Sequence, residues 1–256
     1  MLTTLIIPVL NDNYIYLLHD SSSGQTAAVD PALAQPVLDA LEEYGWQLSY
    51  VLNTHHHWDH VGGNVELKQK TGCKIIASAA DQHRIPAVDF AVKDNDTITL
   101  GEYTATVFLT LGHTHGHIAY YFADQAMLFC GDTLFVMGCG RLFEGTAEQL
   151  WHSLQKLSAL PAETRVYCTH EYSQANGLFA LRIEPDNLYL QEKMRTIKQL
   201  RKDNKPTVPS TIADELATNP FLRVAQPSIQ KALGMMQQSS VDVFTELRKR
   251  KDSFFQ

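Results

Sequence analysis

Apolar residues recur at two spacings along the chain, and the change of spacing divides it. Through residue 172, short runs rich in Val, Ile, Tyr, Phe and Thr alternate with turn residues, which predicts strands. Residues 2–10 and 14–19 read as two strands around the turn Asn11-Asp12-Asn13. Residues 26–30 form a third run, ended by Pro31. Residues 34–44 have helical spacing through Val37, Leu38 and Leu41, with Gly45 as a stop. Tyr50-Val51-Leu52 predicts a short strand, Gly62-Gly63 a tight loop, residues 64–70 a helix and 74–77 another strand. Residues 98–111 form one β-rich stretch, and 118–122 and 127–130 two more strands. Thr146-Ala-Glu-Gln149 fits a capping box that opens a helix to about Ser158, closed by Pro161, and residues 165–168 are a further strand. After Tyr172 the strand signals disappear. Residues 188–202 place Leu190, Met194, Ile197 and Leu200 on one helical face. Residues 212–217, 228–236 and 241–251 read as further helices. The pattern predicts a strand-and-helix domain over residues 1–172 and a smaller, all-helical one over 173–256.

The densest chemistry lies in Thr54-His-His-His-Trp-Asp-His60, where four histidines and an aspartate fall within six positions. If the segment is extended, His55, His57 and Asp59 share one side, His56 takes the other, and His60 follows as the chain turns. Imidazole and carboxylate are the ligands of zinc and its first-row neighbours. Further candidates are His113, Asp132 and His170, and each follows an apolar β-like run and a small or hydroxyl residue. Loops beyond the C-terminal ends of strands are where layered α/β proteins build their sites. Alone, Asp132 in Gly-Asp-Thr could be a turn residue and His170 a structural one. His113 has His115 and His117 as neighbours, so its segment does not say which histidine would bind. The grammar shared by all four segments is what points to one metal site. His19, His83 and His152 lie outside it and read as ordinary packing or surface residues.

Composition narrows the function. The chain has 256 residues, 45% of them hydrophobic, with a formal net charge of −7, which fits a globular protein and argues against a nucleic-acid binder. The first residues lack a basic segment and their apolar run is broken by Pro8, so they read as a strand and not as a signal peptide. No apolar stretch approaches the roughly 20 residues needed to span a membrane. Cys73, Cys130, Cys139 and Cys168 lie far apart with no C-x-x-C, and Cys130 and Cys168 sit in apolar runs as buried thiols, so a reduced cytoplasm is expected. There is no G-x-S-x-G and no P-loop, and Gly138, Gly140 and Gly145 have the wrong spacing for a dinucleotide loop. A pair of divalent ions brings the pKa of bound water toward ~7 and polarises a carbonyl. A thioester suits such a site, because its thiolate, with a conjugate-acid pKa near ~8.5, departs without a strong general acid.

His55, His57, Asp59 and His60 make up the H-x-H-x-D-H signature of the metallo-β-lactamase superfamily. Over essentially its whole length the chain resembles one branch of it, the glyoxalase II or hydroxyacylglutathione hydrolase family. The resemblance implies a four-layer α/β/β/α fold with a helical C-terminal domain. It assigns His55, His57 and His113 to one metal ion, Asp59, His60 and His170 to a second, and Asp132 to both. Asp59 and Asp132 are then the catalytic carboxylates, and His56, His115 and His117 are not ligands. The implied cofactor is a pair of divalent ions, zinc in first place, with iron or manganese also suited to such a set. The implied substrate is a glutathione thioester, contacted by Arg141, Phe143, Tyr172, Arg248 and Lys251. Many relatives carry Lys and Tyr where this chain has Arg141 and Phe143; Arg keeps the charge, whereas Phe143 loses a hydroxyl. Asn219-Pro-Phe-Leu-Arg223 is also family-like. Without the resemblance, Arg248-Lys-Arg-Lys251 would read as a solvated basic helix end. The implied activity is hydrolysis of S-D-lactoylglutathione by a monomer, without nucleic acid or membrane as partner. The rival on the same fold is a persulfide dioxygenase-like enzyme with a single iron.

Overall fold

The computed structural model of the protein describes residues 2–254. Two units can be distinguished. The first runs through Thr110 and resumes over Thr114–Gly131; the second takes Leu111–His113 and the chain from Asp132 onward.

The first unit holds β1 (Thr3–Val9), β2 (Asn13–His19), β3 (Gln25–Val29), α1 (Gln35–Tyr44), β4 (Gln47–Leu52), α2 (Trp58–Val61), α3 (Asn64–Thr71), β5 (Lys74–Ser78), β6 (Phe90–Val92), β7 (Thr97–Leu100), β8 (Tyr103–Leu109), β9 (Ile118–Phe122) and β10 (Met127–Gly131). Strands β1 to β6 form one sheet in chain order, antiparallel from β1 to β3 and parallel from β3 to β6. Strands β7 to β10 form an antiparallel meander. Every residue of β2 is buried, as expected of a strand covered on both faces. On one face Ile15, Leu17, Ala28, Val51 and Ile75 pack with Val37 and Leu41 of α1 and Leu67 of α3. On the other, Tyr16 meets Phe129 of β10 edge-on at 5.4 Å, and the Tyr120 hydroxyl of β9 donates to the Asn53 carbonyl at 2.9 Å. Helices, first sheet and second sheet are thus stacked as layers within this unit.

The second unit holds β11 (Leu134–Phe135), β12 (Gly138–Cys139), α4 (Ala147–Ser158), β13 (Arg165–Cys168), α5 (Ser173–Ile183), α6 (Leu188–Lys202), β14 (Ser210–Thr211), α7 (Ile212–Thr218), α8 (Pro227–Leu233) and α9 (Ser240–Asp252). The capping box at Thr146 is formed in both directions with Gln149. Strand β14, beyond residue 172, pairs antiparallel with β13.

Several elements depart from the sequence pattern. Residues 98–111 are not one strand: Gly101, at φ 58°, turns the chain between β7 and β8. Helix α8 stops at Leu233 because Gly234 takes a left-handed φ of 72°. Helix α5 and strand β6 were not anticipated at all.

Candidate metal centre and substrate cavity

In the first unit, β4 delivers the histidine stretch from the end of the sheet. After β4 the chain bends at Thr54 and His55, is extended at His57 (φ −61°, ψ 145°) and then winds into the single turn of α2, where the His60 amide donates to the His57 carbonyl at 3.0 Å. Across that bend the side chains still alternate over His55, His56 and His57, since His55 meets His57 and His56 turns to Asp81. The alternation does not reach Asp59, which sits on a helical turn, and this corrects the extended reading of that residue. His55 Nε2 and His57 Nδ1 lie 3.0 Å apart, while His56 turns to Asp81 at 3.1 Å.

A buried aspartate that sequence reasoning missed organises these rings. Asp30, at the end of β3, accepts from the Thr54 amide at 2.8 Å, the Thr54 hydroxyl at 2.6 Å and His60 Nδ1 at 3.0 Å. Because the Thr54 proton goes to Asp30, its oxygen accepts from His55 Nδ1 at 3.1 Å. Both rings are thereby fixed with Nδ1 as donor and Nε2 carrying the lone pair, as in metal-ligating histidines backed by an outer acceptor. Asn13 donates to Asp59 Oδ2 at 3.0 Å, and His60 Nε2 lies 3.5 Å from that oxygen. Asp30 also brings an oxygen within 4.8 Å of ligand atoms of His55 and His60, but its bonds make it their support. His117 stacks on His55 at 4.8 Å and shares a hydrogen bond with Thr110. His115, His83 and His152 are exposed, and His19 stacks on Trp46.

In the second unit, His113, Asp132 and His170 are all buried. His113 Nδ1 lies 2.9 Å from the Arg141 carbonyl, which can only accept, so Nε2 carries the lone pair. That Nε2 lies 3.5 Å from Asp132 Oδ2, and His170 Nε2 lies 3.4 Å from the same oxygen. The Thr169 hydroxyl donates to the other oxygen, Oδ1, at 2.6 Å and aims the carboxylate. Two imidazole nitrogens meeting one carboxylate oxygen in a buried place, with the His113 ring braced from behind, is a donor set that fits divalent metal ions.

A cavity of about 590 Å³ opens in this unit, lined by His113 and Asp132, by the aromatic rings of Phe143 and Tyr172, and by Arg141, Arg248 and Lys251. Tyr172 stacks on His170 with rings 4.8 Å apart, and Phe143 meets His113 edge-on at 5.1 Å. Arg248 is only 4% exposed; it lies over the Phe221 ring and donates to the Cys139 carbonyl at 2.9 Å and to Asp252 at 2.8 Å. The solvated-surface reading of this helix end is therefore wrong for Arg248, although Lys249 and Arg250 are exposed. Burial, then the charges of Arg248 and Arg141, push the Lys251 ammonium down to about 8. Three positive groups thus share one cavity, a place for an anion.

Residues 12–170 match the metallo-β-lactamase superfamily, and residues 171–254 match the hydroxyacylglutathione hydrolase C-terminus. A hydroxyacylglutathione hydrolase from Methylococcus capsulatus is 58% identical over 254 residues, covering 99% of each chain. The chain belongs to the hydroxyacylglutathione hydrolase family. The hydroxyacylglutathione hydrolase of Rhodospirillum rubrum is 52% identical, over 97% of each chain. The crystal structure of ETHE1 from Myxococcus xanthus superposes with a TM-score of 0.70 at 24% identity, covering 97% of this chain and 90% of that one. That likeness speaks for the fold. The metallo-β-lactamase fold with a helical C-terminal region, expected from the sequence, is the fold of this chain, and the chain is an enzyme of the hydrolase type. Among the described residues no helix is long and apolar enough to cross a membrane.

Proposed function

We propose that the protein hydrolyses S-(2-hydroxyacyl)glutathione, typically S-D-lactoylglutathione, to glutathione and a 2-hydroxy acid such as D-lactate. The observation that carries this reading is the cavity that exposes metal-type ligands, His113 and Asp132, to the same space as Arg141, Arg248 and Lys251. A glutathione thioester needs both: an anion-holding end for its carboxylate and a hydrolytic end for its acyl carbon.

His55, His57 and His113 would hold one divalent ion, and Asp59, His60 and His170 a second, with Asp132 shared. Zinc is the first candidate, because imidazole and carboxylate oxygen are its ligands. Such ions supply Lewis acidity to water and to an acyl oxygen. The protein's own residues do the rest. Asp132, aimed by Thr169, and Asp59, held by Asn13, orient the attacking water. Arg141, Arg248 and Lys251 take the glycine carboxylate of glutathione, and the rings of Tyr172 and Phe143 flank the thioester. No buried general acid is required, since the leaving group is a thiolate. We further assign residues 1–172 to a catalytic domain and 173–256 to a substrate-binding one, and place a monomer in the cytoplasm, in keeping with four buried, reduced cysteines.

The test is thiol release from S-D-lactoylglutathione by purified protein, measured beside elemental analysis and oxygen uptake. Thiol release with two metal ions per chain is expected. One iron per chain with oxygen consumption would favour the persulfide dioxygenase-like alternative, and no turnover of the thioester would sink the proposal.

A further inference from the structure

The short hairpin β11–β12 lies entirely in the interior: every residue from Leu134 to Gly140 is buried. A buried turn must have its backbone groups satisfied from elsewhere. Here side chains from the helical part of the chain do it. Asn219, the residue after α7, places Nδ2 2.9 Å from the Gly138 carbonyl and 3.2 Å from the Phe135 carbonyl. Glu215, one helical turn earlier and fully buried, accepts from the Met137 amide at 2.8 Å and from Asn219 at 2.9 Å through one oxygen. Asn176 of α5 donates to the Val136 carbonyl at 3.1 Å. Met137 itself is held at a φ of 54°, a conformation the free chain rarely visits.

This hairpin carries the wall of the cavity. Phe135 and Cys139 line it, and Phe135 meets Tyr172 edge-on at 5.3 Å. The Cys139 carbonyl anchors Arg248, and the Gly140 amide closes back on Thr133, next to Asp132. Glu215 and Asn219 line none of the cavity, yet each polar group they hold sits on the strand pair that shapes it.

We infer that Glu215 and Asn219 are positioning residues: as a pair they lock the Leu134–Cys139 hairpin, and through Phe135 and the Cys139–Arg248 contact they set the affinity for the glutathione part of the substrate. The inference rests on the proposed thioester hydrolysis for its kinetic readout but not for its structural one.

The variants are Asn219→Ala and Glu215→Ala, with Glu215→Gln as the conservative replacement that keeps an acceptor for Met137. Leu41→Ala, in the core between α1 and the first sheet of the other unit, controls for destabilisation alone. Kinetics would be measured with a glutathione thioester and with a small thioester lacking the peptide, beside amide hydrogen exchange of residues 134–140 and calorimetric binding of glutathione. The alanine variants should raise KM for the glutathione thioester about tenfold, change kcat far less, and speed exchange at Met137. Glu215→Gln should recover most of that loss, and Leu41→Ala should lower Tm without moving KM. If Asn219→Ala does not fold, Asn219→Ser takes its place, since a hydroxyl donor cannot bridge two carbonyls. Wild-type KM and unchanged hairpin exchange in both alanine variants would overturn the inference. A wild type that leaves the glutathione thioester intact would instead refute the proposed function, and glutathione binding with hairpin exchange would still decide the clamp.

Discussion

Lys251 is a cation kept in a place that disfavours charge. Its folded-state value is lowered to about 8, first by burial and then by Arg248 and Arg141. Below that pH the ammonium is charged and can hold a carboxylate; above it the charge is lost. KM for a glutathione thioester should therefore rise as pH climbs from 7 to 9, while kcat changes less. Lys251→Arg, whose guanidinium stays protonated, should flatten that rise in a pH series of initial rates. A second residue-scale contrast lies in the histidine stretch. His57 Nδ1 lies beside His55 Nε2, whereas His56 pairs with Asp81. If His57 holds metal as proposed, His57→Ala should strip metal and reduce turnover by more than about a hundredfold. His56→Ala should retain most of its metal. Equal metal loss in both, by elemental analysis, would contradict the geometry.

At the scale of elements, the turn α2 depends on two glycines that carry no chemistry. A Cβ on Gly63 would stand 2.8 Å from the Pro31 carbonyl, and one on Gly62 would run into the Ala32 carbonyl. The turn that carries Asp59 and His60 thus presses against the loop that follows Asp30. Gly62→Ala should lower stability by about 1–3 kcal/mol and reduce metal content, although no ligand is altered; thermal unfolding with metal analysis checks both. The same region shows what the sequence could and could not disclose. The strand before the histidines was legible because Tyr50, Val51 and Leu52 form an apolar run with turn residues beyond it. Asp30 was not, since Asp-Pro reads as a strand end and its partners Thr54 and His60 lie 24 and 30 positions away. Helix α5 escaped because Gly177 interrupts it; a Cβ there would strike the Met194 side chain, so the glycine serves a close approach that propensity cannot reveal. Strand parity does not extend to Asp59, because the chain becomes helical after His57. The basic helix end could not be split into buried Arg248 and exposed Lys249 from spacing alone.

For the whole molecule, a formal charge of −7 coexists with a cavity lined by three cations. Attraction of an anionic substrate is then local, and KM should rise with ionic strength between about 10 mM and 500 mM salt, a range over which the Debye length shrinks several-fold. Metal should be integral to the molecule's stability as well as its rate. Chelation should lower Tm and activity together, and added zinc should restore both. Asp132→Ala should lose both ions at once, and a variant that keeps one ion with full activity would refute the shared role of Asp132.

All four cysteines are buried, with no disulfide among the described residues, and Cys139 lines the very cavity into which free glutathione would be released. Burial pushes the Cys139 thiol up to about 11 and the Cys168 thiol to about 12. At neutral pH Cys139 is therefore held as the thiol, and the thiolate is the form that attacks disulfides and acyl groups. Cys139 should thus resist acylation by a thioester and mixed-disulfide formation with glutathione, which mass spectrometry of the protein after turnover checks.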